Sequence, residues 1–130
     1  MGSEVQWSKV SGFPGYLASS LGEIYSVHKG NLQRVWGRIN TKGYYQVILY
    51  KKEGGHKKTY QKYVHVIIAE VFICVKPGIN YQVNHKNFNR LDNRVENLEW
   101  VSDINNYLHR DGKPYKVWNS VTKQDEYMWY

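Results

Sequence analysis

The chain has one cysteine, Cys74, three prolines, and only 11 acidic residues against 18 lysines and arginines in 130 residues. A single thiol cannot close an internal disulfide, and it rules out zinc sites built on cysteine pairs. A reducing compartment fits that usage. No apolar run approaches the length of a membrane span, so none is expected. The opening MGSEVQW has neither a basic stretch nor an apolar core and does not read as a secretory signal. Nor does Met1-Gly2 open a myristoylation site, because Gln6 stands where that signal needs Ser or Thr. The shortage of acidic groups leaves a net charge of +7 and a pI of about 9.4. A balance of that sign and size favours a polyanionic partner. There is no internal repeat and no low-complexity segment.

Aromatic and β-branched residues are plentiful in the first half, with 12 tyrosines in the whole chain. Most suit strands of a small β-rich domain. Trp7, Val10, Phe13 and Tyr16 bracket a Gly-Phe-Pro-Gly turn. Gly22 then suits a turn before a strand at residues 24–27. The run GYYQVILYK reads as a further strand. KKEGGHKK reads as a hairpin loop around Gly54-Gly55, returning through TYQKYV. Lysines 51, 52, 57, 58 and 62 cluster on that hairpin, and a ribbon with a basic tip can enter a major groove or ride on phosphates. At residues 64–74 the period changes: Val64, Ile67, Ile68, Val71 and Phe72 share one helical face. The β-branched content pulls the other way, toward strand.

Past Pro77-Gly78 comes VNHKNFNRLDNRVENLEWVSDINNYLH, residues 83–109. Here INYQV leads as a strand into Asn84-His85, and LEWV is a second strand. Ser102 suits an N-cap and Asp103 the first turn of a helix running to about Arg110, stopped by Gly112 and Pro114. The tail YKVWNSVTKQDEYMWY alternates on both sides of NSVTKQ and reads as a hairpin.

This strand, asparagine-rich loop, strand and helix resembles the HNH (ββα-metal) endonuclease family, in its phage and intron-encoded nicking branch. The ordered set Trp7, Gly12-Phe13, Tyr16, Ser19, Gly22, Ser26, Gly43-Tyr44, Val47 and Leu49 resembles the nuclease-associated module that precedes the HNH unit in many phage endonucleases. The resemblance implies an α+β chain in three parts. Residues 1–62 are a β-rich DNA-binding module, 63–112 a ββα-metal nuclease unit, and 113–130 a C-terminal hairpin tail. It also selects the helical reading of residues 64–74.

What the resemblance implies for chemistry is specific. His85 becomes the general base, with Asn106 completing the catalytic pair. Asn84 and Asn106 become ligands of one divalent ion, Mg²⁺ or Mn²⁺. Asn106 is favoured over Asn105 by the family's spacing from Trp100, and one residue turns a side chain by about 100° on a helix. An imidazole with an unperturbed pKa of about 6.5 suits a base near neutral pH. With Asn84 where an Asp is common, the site lacks a protein negative charge, and the metal should bind better with DNA phosphate present. Phe88 stands where the family has a glycine, so the loop must close differently or carry strain.

DNA contacts are expected from Lys51, Lys57, Lys58, Lys62, Arg90 and Arg94, although Arg94 could instead pair with Glu96 or Glu99. His65 is expected to be a hydrogen-bonded core histidine, and Trp100 a core residue. Asn87, Asn89, Asn93 and Asn97 are expected to brace the loop through side-chain to backbone bonds. No role is assigned to His28, His56 or His109. The expected partner is double-stranded DNA and not a membrane, with a homodimer or a phage protein partner left open. The expected setting is the cytoplasm of a phage-infected bacterium. The expected activity is nicking, one strand per protomer. The rivals are an HNH-fold protein kept for DNA binding or inhibition, and a protein-binding module acting on a host enzyme.

Overall fold

The computed structural model describes residues 4–128. Residues 1–3, where the chain-start readings lie, and Trp129-Tyr130 of the expected tail hairpin fall outside the described residues. Four short strands open the chain as an antiparallel meander: β1 (Trp7–Lys9), β2 (Tyr16–Ser19), β3 (Ile24–His28) and β4 (Asn31–Arg34). A second antiparallel sheet holds β5 (Arg38–Ile39), β6 (Tyr45–Glu53) and β7 (His56–Tyr63). Helix α1 (Val64–Phe72) follows, then β8 (Tyr81–His85), a single 3₁₀ turn (Val95–Asn97), β9 (Leu98–Ser102) and α2 (Asp103–Arg110). A hairpin of β10 (Tyr115–Asn119) and β11 (Gln124–Met128) ends the described chain.

The long hairpin has the expected turn. Gly54 and Gly55 have φ of 58° and 79°, as a two-residue turn that matches strand twist requires. Along β6, Val47 and Leu49 point into the core while Ile48 and Tyr50 face out, the period-two pattern of a half-buried strand. β4 and β5 carry almost no such alternation in NLQR and RI, so these two strands give no signal in the residues alone.

Burial explains why α1 is helical despite its composition. Val64, Ile67, Ile68 and Ala69 are buried in one cluster with Val10, Phe13, Ala18, Ile24, Val47, Leu49, Val83, Leu98 and Trp100. Burying each Val or Ile is worth roughly 1.5–3 kcal/mol. The helix-propensity deficit of a β-branched residue is at most about 0.7 kcal/mol. A strand would bury only alternate residues of the run, so the helix wins. The helix ends where the Ile73 and Cys74 N–H groups both reach the Ala69 carbonyl, and Trp100 Nε1 donates to the Cys74 carbonyl at 3.0 Å. Trp100 is thus the core residue expected. The buried cluster runs across position 62/63, so the β-rich part and the helix share one interior.

Ser102 occupies the N-cap of α2, but its side chain makes no capping bond. Its Oγ instead accepts from Asn105 Nδ2 at 2.7 Å. Asp103 in the first turn and Arg110 in the last complement the helix dipole.

The turn between β2 and β3 reaches the loop that joins β8 to β9. Gly22 has φ of +87°, and a Cβ there would come within 2.6 Å of the Asn93 carbonyl oxygen. The Val95 N–H also donates to the Ser20 carbonyl at 2.9 Å. Gly22→Ala therefore combines a left-handed conformation with a backbone clash. It should destabilise the protein by about 1–3 kcal/mol, measured as a lower urea midpoint. An unchanged midpoint would show that this turn does not bear on the loop.

Candidate functional site

β8 and β9 pair with Asn84 opposite Glu99 and His85 opposite Leu98. Consecutive strand residues leave opposite faces of a sheet. Val83 and His85 therefore face α1 and the N-terminal sheets, while Gln82 and Asn84 face α2 and β10. Gln82 Nε2 donates to Asp103 Oδ1 at 3.1 Å on that second face.

His85 is buried, 5% exposed. Its Nε2 lies 2.8 Å from Asn93 Oδ1. An amide oxygen only accepts, so Nε2 carries the hydrogen and Nδ1 is left with the lone pair. The His85 ring packs at 4.9 Å from His65 and 6.1 Å from Tyr44, centroid to centroid. Burial pushes the His85 pKa below its ordinary value. The Asn93 bond and the Asp92 charge oppose that push, and the Arg90 charge adds to it. The net direction is down, so the imidazole is neutral at pH 7. The bracing role expected of Asn93 is not what its side chain does here: it orients the histidine instead.

The loop between the strands is held by asparagines and one ion pair. Asn97 Nδ2 donates to Asn87 Oδ1 and to the Asp92 carbonyl, both at 2.9 Å, and Asn97 Oδ1 accepts from the Asn87 N–H at 3.1 Å. Asn87 and Asn89 accept the Asn89 and Leu91 N–H groups in turn. Arg94 grips Asp92 through Nε and Nη2, each at 2.7 Å, and reaches Glu96 at 3.3 Å. The Arg94 guanidinium beside Asp92 holds that carboxyl down at about 2. Arg90 donates to the Lys42 carbonyl and lies over the Tyr44 ring at 4.9 Å. Both arginines expected on DNA therefore already hold the loop, and Arg94 takes Asp92 as its main partner.

Phe88 has φ of 63°. The strain expected from a bulky residue at a glycine position is present. Its ring stacks on His109 at 4.3 Å with 10° between the planes. A left-handed non-glycine residue costs roughly 1–2 kcal/mol, and an aromatic pair returns about 0.5–1.5 kcal/mol, so stacking offsets much of the strain. His109, which has no role on sequence grounds, is fully buried between Phe88 and Tyr115.

On the other face, Asn84 is 6% exposed. Its Nδ2 donates to Glu99 Oε2 at 2.6 Å, and the Tyr115 hydroxyl donates to the same oxygen at 2.7 Å. Glu99 Oε1 is buried with no hydrogen-bond partner among the described residues. The site face thus has a protein carboxylate after all, supplied across the strand pair. Glu99 could have been found by pairing the strands through Val83 and Trp100, which sets it opposite Asn84. Tyr115, far along the chain, carries no local signal.

α2 treats its two asparagines differently. Asn105 is buried and spends both ends of its amide, on Ser102 Oγ and on the Lys116 N–H at 3.0 Å. Asn106 is half-buried, and its side chain makes no hydrogen bond among the described residues. Asn84 Oδ1 and Asn106 are therefore the amide groups left for a ligand. No group of three His, Cys, Asp or Glu side chains able to hold a metal occurs among the described residues. Asn84 on β8 and Asn106 on α2, elements that pack against each other, offer amide oxygens of the kind taken by a hard cation that keeps several waters and draws further ligands from a phosphate.

The lysines of the long hairpin divide between its faces. Lys51 and Lys58 pair with Glu53 at 3.3 and 3.4 Å, and Lys62 lies 5.4 Å from the Phe13 ring. Lys52 and Lys57 are cross-strand neighbours on the opposite face, with Lys57 over Tyr50 at 4.1 Å.

Residues 62–107 match the family model described as HNH endonuclease. DNA endonuclease I-HmuI of Bacillus phage SP01 is 32% identical over 82% of this chain and 59% of its own length. Two uncharacterized HNH endonucleases of Acanthamoeba polyphaga mimivirus are 35% and 36% identical over 77% and 80% of this chain, but over only 24% and 29% of their own lengths. The chain therefore spans less than two thirds of each of these relatives. A solved structure, described as DNA binding and cleavage by the HNH homing endonuclease I-HmuI, superposes with a TM-score of 0.63 at 30% identity. It covers 82% of this chain and 59% of that one.

His65 yields a test of the site's interior. It is buried as expected, but its Nδ1 has no hydrogen-bond partner among the described residues. Ring packing against Tyr44, Tyr63 and His85 holds it instead. Burial, with the nearby His85 adding to it, lowers its pKa to about 3. The unfolded chain would protonate this group near 6.5. Between those values the unfolded state binds more protons, so His65's contribution is complete above pH 6.5 and is lost as the pH falls toward 3. Unfolding free energy should drop by about 1–2 kcal/mol from pH 7 to pH 5, and His65→Phe should flatten that drop. An equal drop in the variant would assign it to other groups.

Proposed function

With residues 62–107 belonging to the HNH endonuclease family, we propose that the chain is a metal-dependent DNA endonuclease that nicks one strand per protomer, with His85 as its general base. The observation that carries this reading is the His85–Asn93 pair: a buried imidazole, neutral at pH 7, whose Nε2 hydrogen is committed to an amide oxygen at 2.8 Å. Such a ring has one nitrogen, Nδ1, able to take a proton from an attacking water.

Asn84 Oδ1 and Asn106 would hold one divalent ion, Mg²⁺ or Mn²⁺. Such an ion would supply charge relief to a phosphodiester as its bond to the leaving oxygen breaks. Asn84 and His85 leave opposite faces of β8, so the base and the amide that would hold the ion are kept apart while both lie at the loop end of the strand. The Asn93 bond keeps the tautomer fixed while Nδ1 receives the proton. Tyr44 and His65 wall the ring and exclude water from its inner side.

Double-stranded DNA is the proposed substrate. Lys57 and Lys52 offer the hairpin face that has no carboxylate partner among the described residues, and Lys51, Lys58 and Lys62 offer the other. Arg90 and Arg94 would reach a strand only at the edge of the loop they already brace.

A supercoiled-plasmid assay with Mg²⁺, Mn²⁺ and EDTA tests the activity. Wild type should nick only with a divalent ion. His85→Ala should lose about 100-fold or more, the scale of general-base catalysis, while still binding DNA. Nicking that survives in the variant removes His85 from the chemistry.

The hairpin separates into two further outcomes. Lys57→Ala should weaken binding to all sequences alike and flatten its salt dependence by about one unit. Lys58→Ala should change the slope less, because Glu53 already neutralises part of its charge. Equal slopes for both variants and wild type would place the DNA elsewhere.

A further inference from the structure

We infer that Glu99 is the positioning residue that decides which end of the Asn84 amide faces the metal site, an inference that rests on the nuclease reading above. An asparagine amide has an oxygen that accepts and a nitrogen that donates, nearly equal in size, so only its surroundings select between them. Strand pairing sets Glu99 directly opposite Asn84. Glu99 Oε2 accepts from Asn84 Nδ2 at 2.6 Å in a buried position. That bond turns the nitrogen inward and leaves Oδ1, which takes no hydrogen bond among the described residues, as the outward end. The reversed amide would set Oδ1 against the carboxylate and offer an NH₂ group to a cation. Neither contact is favourable.

The carboxylate is itself held. The Tyr115 hydroxyl donates to the same oxygen at 2.7 Å. β10, which carries Tyr115, is fastened to α2 by the Lys116 N–H on Asn105 Oδ1 at 3.0 Å. A tie therefore runs from α2 through β10 to Tyr115, Glu99 and Asn84. It makes the C-terminal hairpin, which lies outside the family match at residues 62–107, part of the metal site's support.

Mn²⁺ affinity reads this directly. The full chain is bound to a short DNA duplex in a His85→Ala background, which keeps the DNA intact, and free Mn²⁺ is followed by electron paramagnetic resonance. Glu99→Gln can donate or accept, so it no longer selects the amide's orientation. It should weaken Mn²⁺ binding about tenfold or more, the scale seen when support of a metal ligand is removed. Tyr115→Phe should shift affinity the same way by less.

The distinguishing arm is Asn84→Asp. A carboxylate's two oxygens are equivalent, so no orientation remains to be chosen, and the introduced carboxylate would face Glu99 as a like charge. In that background Glu99→Gln should cost nothing or should tighten binding, a non-additivity that a purely structural role would not produce. Unchanged affinity for Glu99→Gln in the protein that keeps Asn84, or the same loss in both backgrounds, overturns the inference. Should circular dichroism show that Glu99→Gln fails to fold, Tyr115→Phe in the two backgrounds carries the same comparison and decides it in the same way. A wild-type chain that nicks with metal while Glu99→Gln binds Mn²⁺ normally defeats only this inference. A wild-type complex that binds no Mn²⁺ and nicks nothing defeats the nuclease reading and this one together.

Discussion

Two paired strands cannot bury a core by themselves, because each face of the ribbon stays open to water. β8 and β9 carry Asn84, His85 and Glu99, and the rest of the molecule serves as cover for them. On one face lie α1 and, behind it, both N-terminal sheets, joined through Val83, Leu98 and Trp100 to a single apolar cluster. On the other lie α2 and β10, where Tyr115 and His109 close over Asn84 and Glu99. This requirement explains why the N-terminal turn at Gly22 packs on Asn93, and why the tail hairpin docks rather than trailing off.

Coverage of both faces lets one dipeptide serve two environments. Asn84 and His85 are neighbours in sequence, yet each meets a different side of the protein. The histidine sits in a buried setting that lowers its pKa, with a single amide that fixes its hydrogen. The asparagine sits over a carboxylate and a phenol. A buried polar group without partners would cost roughly 1–3 kcal/mol. Both residues avoid that cost with one bond each and keep one atom uncommitted. The uncommitted atoms, His85 Nδ1 and Asn84 Oδ1, are the ones the proposed chemistry uses.

Much of this was legible in the residues alone. Periodicity and β propensity pulled apart at residues 64–74, and the family resemblance chose the helix that the structure has at Val64–Phe72, whereas Gly54-Gly55 announced its turn unaided. The Asn84, His85 and Asn106 spacing came with the family resemblance, and Asn105's two bonds support that register. The unreadable parts share a physical cause. β4 and β5 are short, leave Leu32 and Ile39 exposed, and carry no period. Asn93, Glu99, His109 and Tyr115 act through contacts made only when the strands pair and the tail folds back, and no local pattern encodes those. Arg90 and Arg94 looked like cations awaiting DNA because sequence shows charge but not the carbonyl and carboxylate that already engage it.

The charge distribution follows from the same division of labour. The excess of basic groups lies largely on the long hairpin and around the loop, while the two amides left for a ligand are neutral. A neutral pair of oxygens competes poorly with water for a hard cation. The buried carboxylate on that face, Glu99, is spent on the Asn84 amide. Attraction for a metal must therefore rise when a phosphate enters and supplies the missing charge. Basic residues at a distance raise the local concentration of that phosphate without placing a positive charge among the ligands, where it would repel the ion. On the proposed function, the neutral site and the basic hairpin belong to one electrostatic arrangement, in which the polyanion would bring the charge that the two amides lack.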